Sequence, residues 1–216
     1  MSPLTNSSLF ALNLLPAWLR PLFQKTFPWE TLANLVPLIL EQVEEGTHTI
    51  ELHPSVVIEG QVYIDKEAII EPQCYIRGPA WIGKGVTVRQ GAYIRGNVLA
   101  LEGAVIGHCT EVKNTIFLPG AKAGHFAYIG DSILGIGVNL GAGTRLANLR
   151  LDRKEISFKW QNEVYETNKA KCGAFIGDGC QIGCNSVLNP GTILGKNSLR
   201  LLYTSPSPRD GLLSRM

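Results

Sequence analysis

Every sixth residue from Leu52 is apolar: Leu52, Ile58, Ile64, Ile70, Ile76, Ile82, Val88, Ile94, Ala100, Ile106, Val112 and Leu118. With 45% of the chain apolar, chance gives twelve such positions in a row with odds on the order of one in 10⁴ per register. A second series lies two residues before the first and is small or β-branched: Val62, Ala68, Cys74, Ala80, Val86, Ala92, Val98 and Ala104. The phase breaks after Leu118 and resumes at Leu134, Leu140 and Leu146, then at Ile176, Ile182, Leu188 and Leu194. A strand repeats every two residues and a helix every 3.6, so a period of six requires short strands joined by recurring corners. The fold expected is an all-β solenoid, a hexapeptide parallel β-helix in which three hexapeptides close a coil of about 18 residues. The large aliphatic side chain points inward, and the small residue lets the wall pack at the corner.

The 23 glycines among 216 residues fit such a fold. Those that follow an inward residue, in Ile82-Gly83, Ile106-Gly107, Ile129-Gly130, Leu140-Gly141, Ile176-Gly177 and Ile182-Gly183, are expected at turns with positive φ. A net charge of +2 without a run of five or six like charges gives no support to an electrostatic nucleic-acid footprint. The richest apolar stretch, residues 9–19, is interrupted by Asn13 and Pro16, so neither a membrane span nor a signal peptide is expected. Cys74, Cys109, Cys172, Cys180 and Cys184 form no CxxC pair and no zinc spacing, which points to reduced thiols and a cytoplasmic protein. Cys74 and Cys180 occupy the small-residue series and are expected to pack inside.

Residues 1–48 lack the repeat. Leu32, Leu35, Leu38, Leu40 and Val43 form a stripe at helical spacing, so this segment is expected to be a helical cap on the open N-terminal end of the solenoid. Residues 49–198 form the β-helix, interrupted by a charged insertion at 149–172 that is expected to leave the wall as a strand pair or loop. Residues 199–216 break the pattern with Arg200 and the Ser/Pro/Arg-rich LLYTSPSPRDGLLSRM. That tail resembles adapter read-through and is expected to be foreign to the fold.

One stretch differs from a generic coil: KAGHFAYIGDSILGIGVNLGAGTRLAN, residues 122–148. Here glycines open the backbone and histidine, tyrosine and two asparagines come together. Histidine titrates near neutrality and suits a general base. The stretch resembles the acetyltransferase domain of the bifunctional UDP-N-acetylglucosamine pyrophosphorylase/glucosamine-1-phosphate N-acetyltransferases, whose pattern KxGHxxYxGDxxxGxxxNxGAGTxxxN it matches at every fixed position. The continuation to GAFIGDGCQIGCNSVLNPGTILG is similar to sugar-1-phosphate nucleotidyltransferases with a β-helix acyltransferase half.

The resemblance implies a left-handed β-helix assembling as a homotrimer. It implies acetyl-CoA-dependent N-acetylation of an amino-sugar 1-phosphate, a small-molecule substrate of UDP-N-acetylglucosamine precursor synthesis, with no metal. By it, His125 is the general base and Asn148 lies at the reacting amide. Arg95 and Lys113 bind phosphate, Tyr128, Asn139 and Lys154 contact the sugar phosphate, and Ala142 and Cys184 lie near acetyl-CoA. No nucleotide-binding domain precedes the repeat, so pyrophosphorylase activity is not expected.

The same residues admit plainer roles. His125 can be a turn histidine, Arg95 and Lys113 solvated charges, Asn139 and Asn148 asparagine corners, and the register of Lys154 is open beside Arg153. His108 and His125 are 17 residues apart, almost one coil, which raises the zinc-binding β-helix carbonic anhydrases, but His48 and His53 stand at the far end and three ligands are needed. The other class of function is a non-catalytic β-helix that oligomerises or regulates a separate nucleotidyltransferase subunit.

Overall fold

The computed structural model describes residues 4–43, 50–160 and 162–200. Residues 50–200 wind into a left-handed parallel β-helix with three walls. The first wall stacks Val57–Glu59, Tyr75–Arg77, Tyr93–Arg95, residues 111–113, residues 128–130, Arg145–Leu146 and Val187–Leu188. The second stacks Val62–Ile64, Ala80–Ile82, Val98–Ala100, residues 115–117, residues 132–134, Ala174–Ile176 and Thr192–Leu194. The third runs from Ile69–Ile70 through Thr87–Val88, Val105–His108, Lys122–His125, Asn139–Leu140 and Gln181–Ile182 to Leu199–Arg200. The sixfold series fills the bore: from Ile76 to Val112 its members are fully buried, and Cys74 and Cys180 are interior as the small-residue series requires.

The phase break has a local cause. Paired residues are 18 apart in the first coils, as in Tyr75 with Tyr93, and 17 apart in the next two, as in Glu111 with Tyr128 and Tyr128 with Arg145. The corner between the first and second walls, made by Gly96 and Asn97 in one coil, shrinks to Asn114 alone in the next and Asp131 in the one after. Both hold the left-handed conformation, at φ 45° and 49°. Strands Glu111–Phe117 and Tyr128–Leu134 therefore run through the corner. The shortened corner also corrects the last member of the series: Phe117 takes the inward place beside Ala100 and Leu134, and Leu118 turns to the outer side. After Arg145 the partner is 42 residues on, at Val187, which is one 18-residue coil plus the 24 residues of 149–172. Those residues include the antiparallel hairpin Ser157–Trp160 and Glu163–Glu166.

The glycines that follow inward residues are not at positive φ; the left-handed ones are others, including Gly85, Gly103, Gly137 and Gly143. Among the former, Gly83, Gly107, Gly141 and Gly177 are required because stacked backbones approach too closely for a side chain, while at Gly130 a side chain would meet Asn148. A Cβ on Gly107 would lie 1.9 Å from the Gly124 carbonyl oxygen, and one on Gly141 would lie 2.5 Å from the Cys184 nitrogen.

The N-terminal segment is helical in part, with α1 (Asn6–Leu9), α2 (Pro28–Ala33) and α3 (Leu35–Gln42). Leu32, Leu35 and Val43 are buried as expected, but Ile39 takes the place assigned to Leu40, which is 41% exposed. The segment lies along the outer face of the second wall rather than over the open end. Leu9, Phe10, Leu19, Phe23, Trp29 and Leu35 form one apolar cluster with the outward-facing Leu99, Ile116, Ile133 and Phe175, and the hairpin adds Phe158. The reason is an outer apolar column that recurs once per coil, Tyr63, Trp81, Leu99, Ile116, Ile133, Phe175 and Ile193, which needs a cover. Asp178 pins the segment: its main-chain N–H donates to the Leu9 carbonyl at 3.0 Å, and its carboxylate accepts from Ala11 N at 2.7 Å and Ile136 N at 2.8 Å. Leu199 and Arg200 add a rung beside Gln181 and Ile182, and residues 201–216 lie outside the described residues, as does His48.

Candidate functional site

The third wall meets the first at a corner where equivalent residues of successive coils stack. His125 pairs with His108 below it. One rung above is Ala142, where Gly143 N donates to the His125 carbonyl at 3.0 Å. Cys184 follows above Ala142, where Asn185 N donates to the Ala142 carbonyl at 2.7 Å. Three of the sequence-nominated residues, His125, Ala142 and Cys184, thus form one column. Both His125 and Cys184 are exposed. His108 sits deeper, its Nδ1 2.9 Å from the Gln90 carbonyl oxygen and its Nε2 3.4 Å from Cys109 Sγ. Phe126, in the left-handed region at φ 51°, places its ring edge-on to His108 at 5.1 Å. Arg145 donates to the carbonyls of Phe126 and Gly143, closing the corner.

The outer face of the first wall and its far corner hold a second group. Arg95 Nη1 lies 2.7 Å from Glu111 Oε1, and both side chains are partly exposed. Lys113 Nζ lies 3.3 Å from Asp131 Oδ2 and is more enclosed, with 23% of its side chain exposed. Asn148 Nδ2 donates to the same Asp131 oxygen, while Tyr128 Oη donates to Asn148 Oδ1 at 3.4 Å. Burial pushes the Tyr128 phenol up, with the Glu111 and Asp131 carboxylates adding to it, so it remains a neutral donor. Arg95, Lys113, Tyr128 and Asn148 therefore belong to one polar cluster. Each cation is paired with a carboxylate, Arg95 with Glu111 and Lys113 with Asp131, so the cluster is charge-balanced as it stands.

Two nominated residues are not gathered by the chain itself. Asn139 is exposed on the third wall, between Lys122 and Gln181, at the opposite end of the strand from His125. Lys154 is exposed in the insertion, where its N–H donates to Asp152 at 3.3 Å. Asp131, a fixed position of the matched pattern, was given no role from the sequence, and Asn114 and Glu111 were not singled out. The signal that could have found the first two was the change of coil length from 18 to 17, which makes one polar residue serve as the whole corner. Among the described residues no group of three or more His, Cys, Asp or Glu side chains is placed to hold a metal ion, and no helix is long and apolar enough to cross a membrane.

Residues 76–167 match the model of the GMPPB C-terminal domain family. A bifunctional sugar-1-phosphate nucleotidylyltransferase/acetyltransferase of Sulfurisphaera tokodaii is 40% identical over 141 residues, 65% of this chain and 35% of that protein. A bifunctional protein GlmU of Methanococcus maripaludis is 37% identical over 172 residues, 80% of this chain and 41% of that protein. The acetyltransferase domain of PglB from Neisseria gonorrhoeae, solved in complex with acetyl coenzyme A, is 15% identical, with a TM-score of 0.33 over 65% of this chain and 51% of that one. The matches cover 35% and 41% of the first two relatives' lengths, so the chain spans well under half of each. Through most of its β-helix the chain resembles the bifunctional GlmU and sugar-1-phosphate nucleotidylyltransferase/acetyltransferase proteins.

Proposed function

We propose that the chain is an acetyl-CoA-dependent N-acetyltransferase acting on an amino-sugar 1-phosphate, that it works in the cytoplasm as a homotrimer, and that His125 is its general base. The observation that carries the reading is the single column of His125, Ala142 and Cys184 beside a wall bearing Arg95 and Lys113. A thioester lying along the column has its carbonyl beside the imidazole. An amino sugar whose phosphate is held by the two cations lies over the first wall. In this reading His125 takes the proton as the amine attacks the thioester carbonyl, the tetrahedral oxyanion accepts from backbone N–H groups of the glycine-rich corner, and CoA leaves as the thiol. Asn148, at the far corner of the first wall, orients the amine held at the imidazole of a neighbouring copy, and Tyr128 lines the sugar-phosphate site beside it. No step calls for a metal.

A cleft of about 600 Å³ is lined by Ala147, Leu149, Arg150, Asp152 and Pro190, with Asn148 itself not in its wall; in this reading the start of the insertion shapes the acceptor pocket. Asn139 and Lys154 lie on other elements than the cluster in a single chain, and a neighbouring copy that brings them to it gives both a role. The name of the Sulfurisphaera tokodaii relative, a bifunctional sugar-1-phosphate nucleotidylyltransferase/acetyltransferase, supports the same substrate class.

The test is a CoA-release assay with glucosamine 1-phosphate and galactosamine 1-phosphate, on wild type and His125→Ala. Loss of a general base costs about 10²- to 10⁴-fold in kcat, and equal rates for the two proteins remove His125 from catalysis. Light scattering that finds three times 23.6 kDa supports the trimer. No turnover, together with co-purification of a nucleotidyltransferase, supports the non-catalytic reading instead.

A further inference from the structure

Asp131 sits between the cation and the amide that the proposed chemistry uses, yet has no part in that chemistry. We infer that Asp131 is a positioning residue: it fixes which end of the Asn148 side chain faces the acceptor and tethers Lys113 beside it. The inference rests on the proposed function for its kinetic consequence and on geometry alone for its structural one.

An asparagine amide has a donor end and an acceptor end of nearly the same shape, so its neighbours decide which way it points. The Asp131 carboxylate offers acceptors only. Its Oδ2 can face Nδ2 of Asn148 but not Oδ1, which would bring two oxygens together, and the charge strengthens the bond that forms. The Asn148 oxygen is thereby turned the other way, where it accepts from the Tyr128 hydroxyl at 3.4 Å. An N–H of an amine bound there finds an acceptor whose direction is already set, which aligns the amine lone pair for attack.

Asp131 is itself held firmly. Asn114 Nδ2 donates to its Oδ1 at 2.8 Å, Gly173 N donates to its carbonyl at 2.8 Å, and only 9% of its side chain is exposed. Lys113 Nζ is 3.3 Å from the oxygen that Asn148 also uses, so one carboxylate sets both groups. Gly130 belongs to the same device, because a Cβ there would lie 2.6 Å from Asn148 Nδ2 and push the amide off the carboxylate.

The experiment is a double-mutant cycle with a spectroscopic arm. Asp131→Asn, nearly the same shape but with a donor where an acceptor stood, is made in wild type and in Asn148→Ala, and CoA release is measured. The expected result in the wild-type background is a kcat lower by about tenfold or more with the KM for acetyl-CoA changed less than about twofold. In the Asn148→Ala background the same change lowers kcat by less than about twofold, because coupled residues are non-additive. An equal fall in kcat in both backgrounds overturns the positioning of Asn148 by Asp131, and an unchanged KM for the sugar phosphate in both overturns the tethering of Lys113. In wild type, the Asn148 side-chain amide protons, assigned by their loss in Asn148→Ala, should exchange with solvent far more slowly than those of exposed Asn139. Equal exchange overturns the inference whether or not D131N folds. A wild type that transfers no acetyl group refutes the proposed function, and the exchange measurement then decides on Asp131 alone.

Discussion

Trp29→Ala tests how the N-terminal segment is attached. The Trp29 indole lies nearly parallel between Phe27 at 4.6 Å and Phe158 at 5.1 Å, with Phe175 at 6.4 Å, and is 5% exposed. It thus joins α2, the hairpin and the outer face of the second wall. Burying an aromatic of this size removes about 200 Å² from water, and at roughly 25 cal/mol/Å² that is worth about 5 kcal/mol. Measured truncations of buried Trp or Phe to Ala cost about 3–5 kcal/mol, since the cavity closes only in part. A β-helix is held coil to coil, so this loss falls on release of the segment rather than on the solenoid. At 1.36 kcal/mol per factor of ten, the released form gains about 10²- to 5 × 10³-fold in population. Hydrogen exchange should therefore accelerate across residues 4–43, and a dye that binds apolar surface should find Leu99, Ile116, Ile133 and Phe175 uncovered. Strands at the bore, such as Tyr93–Arg95, should keep their protection. A cost below about 1 kcal/mol, or equal acceleration in Tyr93–Arg95, refutes the reasoning.

Arg95→Met should raise the KM for the sugar phosphate about 10- to 100-fold, the worth of a charged hydrogen bond, and leave that for acetyl-CoA unchanged; a shift in the acetyl-CoA value instead places Arg95 elsewhere. Gly107→Ala should lower the melting temperature and disturb the His108–His125 pairing, because its Cβ meets the Gly124 carbonyl oxygen; an unchanged melting curve would contradict that contact. At pH 8 a thiol reagent should find Cys109 and Cys184 at once, and Cys74, Cys172 and Cys180 only after denaturation. Burial pushes the Cys172 thiol up to about 12 from an ordinary value of 9.0. Between those values the unfolded chain gives up this proton and the folded one keeps it, so the stability due to the neutral thiol is lost as pH rises from 9 toward 12. Urea midpoints should fall across that window, and less steeply for Cys172→Ala.

The β-helix was legible in the residues because its rule is local and repeated. A bore wide enough for one layer of side chains admits a large aliphatic every sixth place, so Ile58 to Val112 declare the coil without any tertiary knowledge. The column of His125, Ala142 and Cys184 follows from the same arithmetic, since their spacings are whole coils once the insertion is removed. Periodicity could not show what happens between the walls. Shortening a corner by one residue costs the sequence only a shift of phase, yet it replaces Leu118 by Phe117 in the bore and brings Asp131 against Lys113, Asn114 and Asn148. Nor could it show which surface the first 43 residues cover. Their stripe demands an apolar partner, and an open coil end and a lateral column of Leu99, Ile116, Ile133 and Phe175 both offer one. Three-dimensional stacking makes that column continuous, because residues 17, 18 or 42 places apart in the chain become neighbours in one wall.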